Sequence, residues 1–203
     1  MKPRSAGHLY VSHLETAMTW HMVHFSEIES LRASLQFLSF SEAYLESAGR
    51  LCDALAASPA ESSYPKGAVV LSLTFHGIEL FLKAAILEKV SNEQFSGNVG
   101  HDLDHLHKRY ANLYPNKKYA FEVPFRNEEV ALVNPDPRIL EELKLRIAEH
   151  KRATPADQLH RYPRNIEGNP WEGFFSFEAS SFVGVISKVK QDIVRLKELI
   201  FNG

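Results

Sequence analysis

The sequence predicts an all-α protein, a bundle of four to five helices joined by long irregular connections. Three observations lead there. The stretch from Lys66 to Val90 is apolar around nearly its whole circumference, which marks a helix central to its domain. The C-terminal stretch places Phe182, Ile186, Val189, Ile193, Leu196 and Ile200 at steps of three and four, with Lys188, Lys190, Arg195 and Lys197 opposite. Alternation of the kind a strand needs appears only loosely, in Tyr119 to Phe125, where Pro124 demotes it to an edge or a loop.

The elements follow in order. Residues 1–29 read as an N-terminal arm, with His8, His13, His21 and His24 scattered among apolar residues and no i, i+4 pair for a metal. Residues 30–203 read as one helical domain. Its first helix runs from about Ser30 to Ala57, with Phe37, Phe40, Tyr44, Ala48, Leu51 and Leu55 as the core face. Ser58 to Pro65 is a Pro- and Ser-rich break, and the central helix follows. Beyond the polar loop from Ser91 to Gly100, Asp102 suits the N-cap of a short helix carrying Leu103, Leu106, Tyr110 and Leu113. Pro115 ends it. Asp136 and Pro137 suit the cap and first turn of a helix carrying Leu140, Leu143 and Ile147 to about Arg152. Residues 156–178 are irregular and rich in aromatics, Pro and Gly. The last helix spans about Glu178 to Phe201.

Composition bounds the function. With 203 residues and 44% hydrophobic content, the chain can bury a sizeable core as one domain. A net charge of -2 argues against a broad nucleic-acid footprint and leaves a local basic patch open. The single cysteine, Cys52, excludes an intrachain disulfide and a cysteine-rich zinc site, and its alanine and leucine neighbours suit a small buried hydrophobe. No uninterrupted apolar run approaches the ~20 residues of a membrane span, and the N-terminus carries no apolar secretory core. A cytoplasmic protein without a membrane partner is expected.

Three clusters could carry chemistry. On the central helix, Ser72, His76, Glu79 and Lys83 recur at steps of four, three and four, so at roughly 100° per residue they form one narrow polar stripe. Glu79 and Lys83 stand in the favourable i, i+4 order for an ion pair. The stripe either fixes helix packing or lines a cleft. In Gly100 to His107, His101 and His105 share the i, i+4 spacing of metal ligands, but no Glu follows His101 to complete a metalloprotease motif. The alternative is that His101 bonds a neighbouring helix while His105 and His107 face solvent. In His160 to Asn165, Arg161 and Arg164 flank Tyr162 and Pro163; such a loop suits a phosphate or carboxylate, or else bridges to Glu79 or another acid. No metal and no cofactor are expected.

The run Thr74 to Leu87, the segment Gly100 to Tyr110 and the later Arg161-Tyr162-Pro163 before a final helix together resemble the HEPN superfamily of small α-helical bundles, most of all its bacterial members. The resemblance covers about Leu35 to Phe201 and rests on Glu79, Lys83 and Gly100-His101-Asp102-Leu103. It implies a HEPN-like fold. Many HEPN proteins are metal-independent RNA endonucleases of toxin or phage-defence systems, with an Arg to hold the phosphate and, after about four to six intervening residues, a His to move a proton. None of the ten histidines here has an Arg at that distance upstream, and Arg164-Asn165 is followed by no His. Members without the motif act as binding modules, often as dimers. The expectation is a non-catalytic HEPN-like module, a homodimer binding a nucleotide, RNA or protein partner in a bacterial defence or toxin–antitoxin setting. Its contact residues would be His76, Glu79, Lys83, His101, Arg161, Tyr162 and Arg164. The alternative is an RNA endonuclease with a rearranged site, in which His101 or His160 moves the proton and Arg161 or Arg164 clamps the phosphate.

Overall fold

The computed structural model describes residues 23–124, 137–138, 141–142, 145, 149, 159–165, 167–171 and 176–202. The chain divides between Leu31 and Arg32 into two compact units. Of the first, the described part holds one short helix, α1 (Ser26–Glu29), preceded by a bond from the His24 backbone N–H to the Glu27 carboxylate. The other arm histidines lie outside the described residues.

The second unit is an all-α bundle. Its helices are α2 (Ala33–Ala57), α3 (Tyr64–Lys89), α4 (Leu103–Leu113) and α5 (Ala179–Ile200). The described positions between 137 and 149 are helical as well, while Asp136, Leu140, Leu143 and Ile147 lie outside the described residues. Asp102 caps α4 by accepting from the backbone N–H groups of Asp104 and His105, at 2.9 and 3.1 Å. Glu178 caps α5 in the same way through Ser180 and Ser181. Each cap satisfies donors that the first helical turn leaves free.

Helix α3 is the axis of the bundle. It shares its longest interface with α2 and also packs on α4 and α5. Val70, Ile78, Phe81, Leu82, Ala84, Ala85 and Ile86 are fully buried on several sides of it, as an all-round apolar surface requires. By length and composition α3 could cross a membrane, contrary to the expectation from uninterrupted apolar runs, because a few polar residues spread over a long helix do not lower its average enough. Here 67% of that apolar window is buried among the other helices, so it serves as a core.

The core face of α2 is rotated from the expected one. Ser34, Leu38, Ser41, Leu45, Ala48, Cys52 and Leu55 are buried, whereas Phe40 is 48% exposed. The cause lies on the partner helix. A Cβ at Gly77 would stand 2.7 Å from Leu45 Cγ, and Ser41 Oγ donates to the Gly77 carbonyl at 2.7 Å. Small residues at this crossing draw the two backbones together, and Phe40 in place of Ser41 would hold them apart. Cys52 is buried, as expected, with Sγ 3.4 Å from the Ala179 carbonyl oxygen.

Tyr119 to Pro124 forms no strand. Phe121 and Val123 turn into the core as pegs, and Arg195 of α5 donates to the carbonyls of Lys118 and Ala120 at 2.6 and 2.7 Å. An arginine side chain thus satisfies backbone groups that a neighbouring strand would otherwise pair.

Candidate functional site

The polar stripe of α3 carries a buried carboxylate. Glu79 is 2% exposed, and Lys83 one turn on is 5% exposed. Lys83 Nζ donates to Glu79 Oε1 at 2.6 Å and sits 5.3 Å from the centre of the Phe95 ring, so the ammonium has a charged and an aromatic partner. The same Oε1 lies 2.9 Å from His101 Nδ1, and Oε2 lies 3.3 Å from His76 Nδ1. Burial alone would raise the Glu79 pKa. Where His76 donates, its hydrogen bond, that of Lys83 and the Lys83 charge outweigh it and hold the carboxyl at about 2. Glu79 is therefore ionised at neutral pH and can only accept hydrogen bonds.

His101 reaches this carboxylate through a tight loop. The segment 95–100 closes on itself so that a Cβ at Gly100 would stand 2.9 Å from the Phe95 carbonyl carbon, and only glycine fits. His101 then follows as the last residue of a short 3-10 turn, just before the Asp102 cap of α4. Because Glu79 is an acceptor, the close contact places a proton on His101 Nδ1. The ring's other nitrogen, Nε2, is left with a lone pair on a side chain that is 52% exposed.

The third contribution comes from the irregular stretch. His160 stacks on Phe75 of α3, with ring centroids 5.7 Å apart and planes 12° from parallel. Burial depresses the pKa of His160, and its Nδ1 has no hydrogen-bond partner among the described residues. The stack sets Arg161 against α3, where its Nη2 lies 3.2 Å from His76 Nδ1. Arg161 thus meets a histidine, not the acid that an internal bridge would have used.

Ser72, Phe75, His76, Glu79, His101, Leu103 and Arg161 line one cleft. Its cavity volume is about 10 Å³, enough for about one water, so a larger ligand would rest on the rim formed by Arg161 and His101. With both histidines neutral, one carboxylate faces one ammonium and one guanidinium, which leaves a net positive charge at a mouth carried by an exposed arginine. Oxyanions are the chemistry such a rim suits.

Of the residues singled out from the sequence, His76, Glu79, Lys83, His101 and Arg161 come together. Tyr162 and Arg164 do not. The Tyr162 side chain is 59% exposed, and its carbonyl accepts from Trp171 Nε1 at 2.8 Å. Arg164 donates to the Gly168 carbonyl at 2.9 Å and stabilises a turn with Asn165 and Asn169. His107 is also not free in solvent as expected: its Nε2 lies 2.8 Å from the Phe121 carbonyl oxygen. His105 is exposed, and among the described residues no group of three or more His, Cys, Asp or Glu stands where it could hold a metal. Two contributors had no sequence signal as site residues. Tyr44 of α2 meets the His76 ring edge-on at 4.6 Å, and Phe95 backs Lys83. The spacing of Tyr44 suggests only core, and Phe95 lies in a stretch that reads as a polar loop.

No family model, curated protein or solved structure matches the chain.

Proposed function

We propose that the protein is a HEPN-like module that binds the phosphate of a nucleotide or an RNA segment at the Arg161–His101 rim. The observation that carries it is the convergence of His76 and His101 on the buried Glu79–Lys83 pair, with Arg161 set against His76 at the same cleft. A buried carboxylate beneath two imidazoles gives the rim a fixed donor geometry, and the exposed guanidinium supplies a bidentate fork for phosphate oxygens. A homodimer, a cytoplasmic setting and a role in bacterial defence or a toxin–antitoxin pair belong to the same proposal and rest on the resemblance alone.

The test is fluorescence anisotropy with a short single-stranded RNA and with a labelled nucleotide. Arg161→Ala weakens binding about tenfold, the worth of one charge-assisted hydrogen bond near 1.4 kcal/mol, and leaves the unfolding midpoint in place because Arg161 is exposed. Equal affinity in wild type and variant rejects the site.

One observation favours a second reading, a metal-independent RNA endonuclease. His101 carries its proton on Nδ1 toward Glu79, so its Nε2 can accept a proton from a ribose hydroxyl while Arg161 holds the phosphate. RNA cleavage in the presence of a chelator, abolished in His101→Ala, supports this reading, and intact RNA at high protein concentration removes it.

A further inference from the structure

His76 Nδ1 faces two partners that it cannot satisfy together. Glu79 Oε2 lies 3.3 Å away and Arg161 Nη2 lies 3.2 Å away. An ionised carboxylate only accepts, and a guanidinium only donates. A ring nitrogen carries either a hydrogen or a lone pair. With hydrogen on Nδ1, His76 donates to Glu79 and presents an N–H to Arg161, which then has no bond there. With the lone pair on Nδ1, Arg161 donates to His76, and Oε2 of a carboxylate 2% exposed loses its donor. Lys83 and His101 both act on Oε1 and do not replace it.

We propose that His76 is a positioning residue that exchanges its Nδ1 contact between Arg161 and Glu79 as an oxyanion enters and leaves the rim. Without a ligand, Arg161 is parked on the Nδ1 lone pair and the ring proton sits on Nε2. An oxyanion draws the guanidinium away. Nδ1 then takes up a proton by a change of tautomer and donates it to Glu79. The carboxylate regains its second donor only when Arg161 is engaged, so the two events are coupled. The proposal rests on the anion-binding reading of the rim and adds the group that holds and releases its arginine.

The experiment is two-bond ¹⁵N–¹H correlation of the histidine ring nitrogens near pH 7.5, with inorganic sulfate as the probe because its charge is constant from pH 5 to 8. The ligand-free protein shows a lone-pair-type His76 Nδ1, and saturating sulfate moves it to the N–H type. Arg161→Ala shows the N–H type without sulfate. Sulfate binding is followed by titration calorimetry at the same pH. An N–H-type Nδ1 in the ligand-free wild type overturns the proposal, and so does a lone-pair-type Nδ1 in Arg161→Ala. Sulfate that binds without moving His76 overturns the exchange and leaves the binding site standing. Absence of sulfate binding with the tautomer difference between wild type and Arg161→Ala intact rejects the anion-driven exchange together with the anion site, and leaves only the parking of Arg161 on His76 standing.

Discussion

Glu79→Gln tests the centre of the molecule. The substitution keeps the shape and removes the charge from a side chain that is 2% exposed, leaving the Lys83 ammonium, itself 5% exposed, against a neutral amide. Breaking a buried pair from one side costs about 3–5 kcal/mol. Titration leads to a similar magnitude: a carboxyl held at about 2 in place of 4.5 is worth about 3 kcal/mol of stability at neutral pH. The sign follows from the depressed pKa. This stability is present above about pH 4.5 and is lost as pH falls toward 2. For a domain of this size the variant should melt roughly 10 °C lower at pH 7. Urea unfolding followed by circular dichroism, from pH 7 to pH 2, measures the gap between wild type and variant. The gap should be about 3 kcal/mol at pH 7 and close to nothing near pH 2. Adding Lys83→Met to the variant should recover much of the loss, since no stranded charge remains. A gap under about 1 kcal/mol at pH 7, or one that stays constant with pH, would refute the reasoning.

Other consequences follow from packing. Gly77→Ala places a Cβ 2.7 Å from Leu45 Cγ and 3.3 Å from the Ser41 carbonyl oxygen, so the α2–α3 crossing must open. A net loss of about 1–2 kcal/mol is expected in chemical denaturation, after the ~1 kcal/mol that alanine gains in helix propensity. Gly184→Ala on α5 meets nothing within 4 Å and should stabilise by up to about 1 kcal/mol in the same measurement. Cys52, whose pKa burial pushes up to about 11, should resist a thiol reagent in the native protein at pH 8 and react fully in denaturant. Rapid native labelling would show that the α2–α5 interface opens far more readily than its packing implies.

Much of the fold is legible in the chain because it is local. The Asp102 cap, the apolar circumference of α3 and the stripe of α5 are each set by residues within one or two turns of each other, and the structure has them where spacing puts them, whereas the Glu178 cap of α5 came only with the structure. The face of α2 was legible at Ala48 and Leu55 and not in its N-terminal half. Two stripes one residue apart, through Phe40 or through Ser41, both satisfy helical periodicity, and the choice between them depends on Gly77 in another helix. Within the candidate site, Glu79 and Lys83 were legible as an i, i+4 pair, and His101 as a residue beside a helix start. Tyr162 and Arg164 looked equal to Arg161 in sequence, yet the turn closed by Arg164 onto Gly168 directs them elsewhere.

The sequence by itself determined an all-α bundle built on α3, with a polar stripe down that helix, because periodicity and capping act over one or two turns. Only the tertiary structure decided that His101 and Arg161, 22 and 82 positions beyond Glu79, meet the stripe at one cleft. That meeting depends on a loop closed at Gly100 and on a His160–Phe75 stack. Both are long-range packing events, to which helical spacing carries no signal.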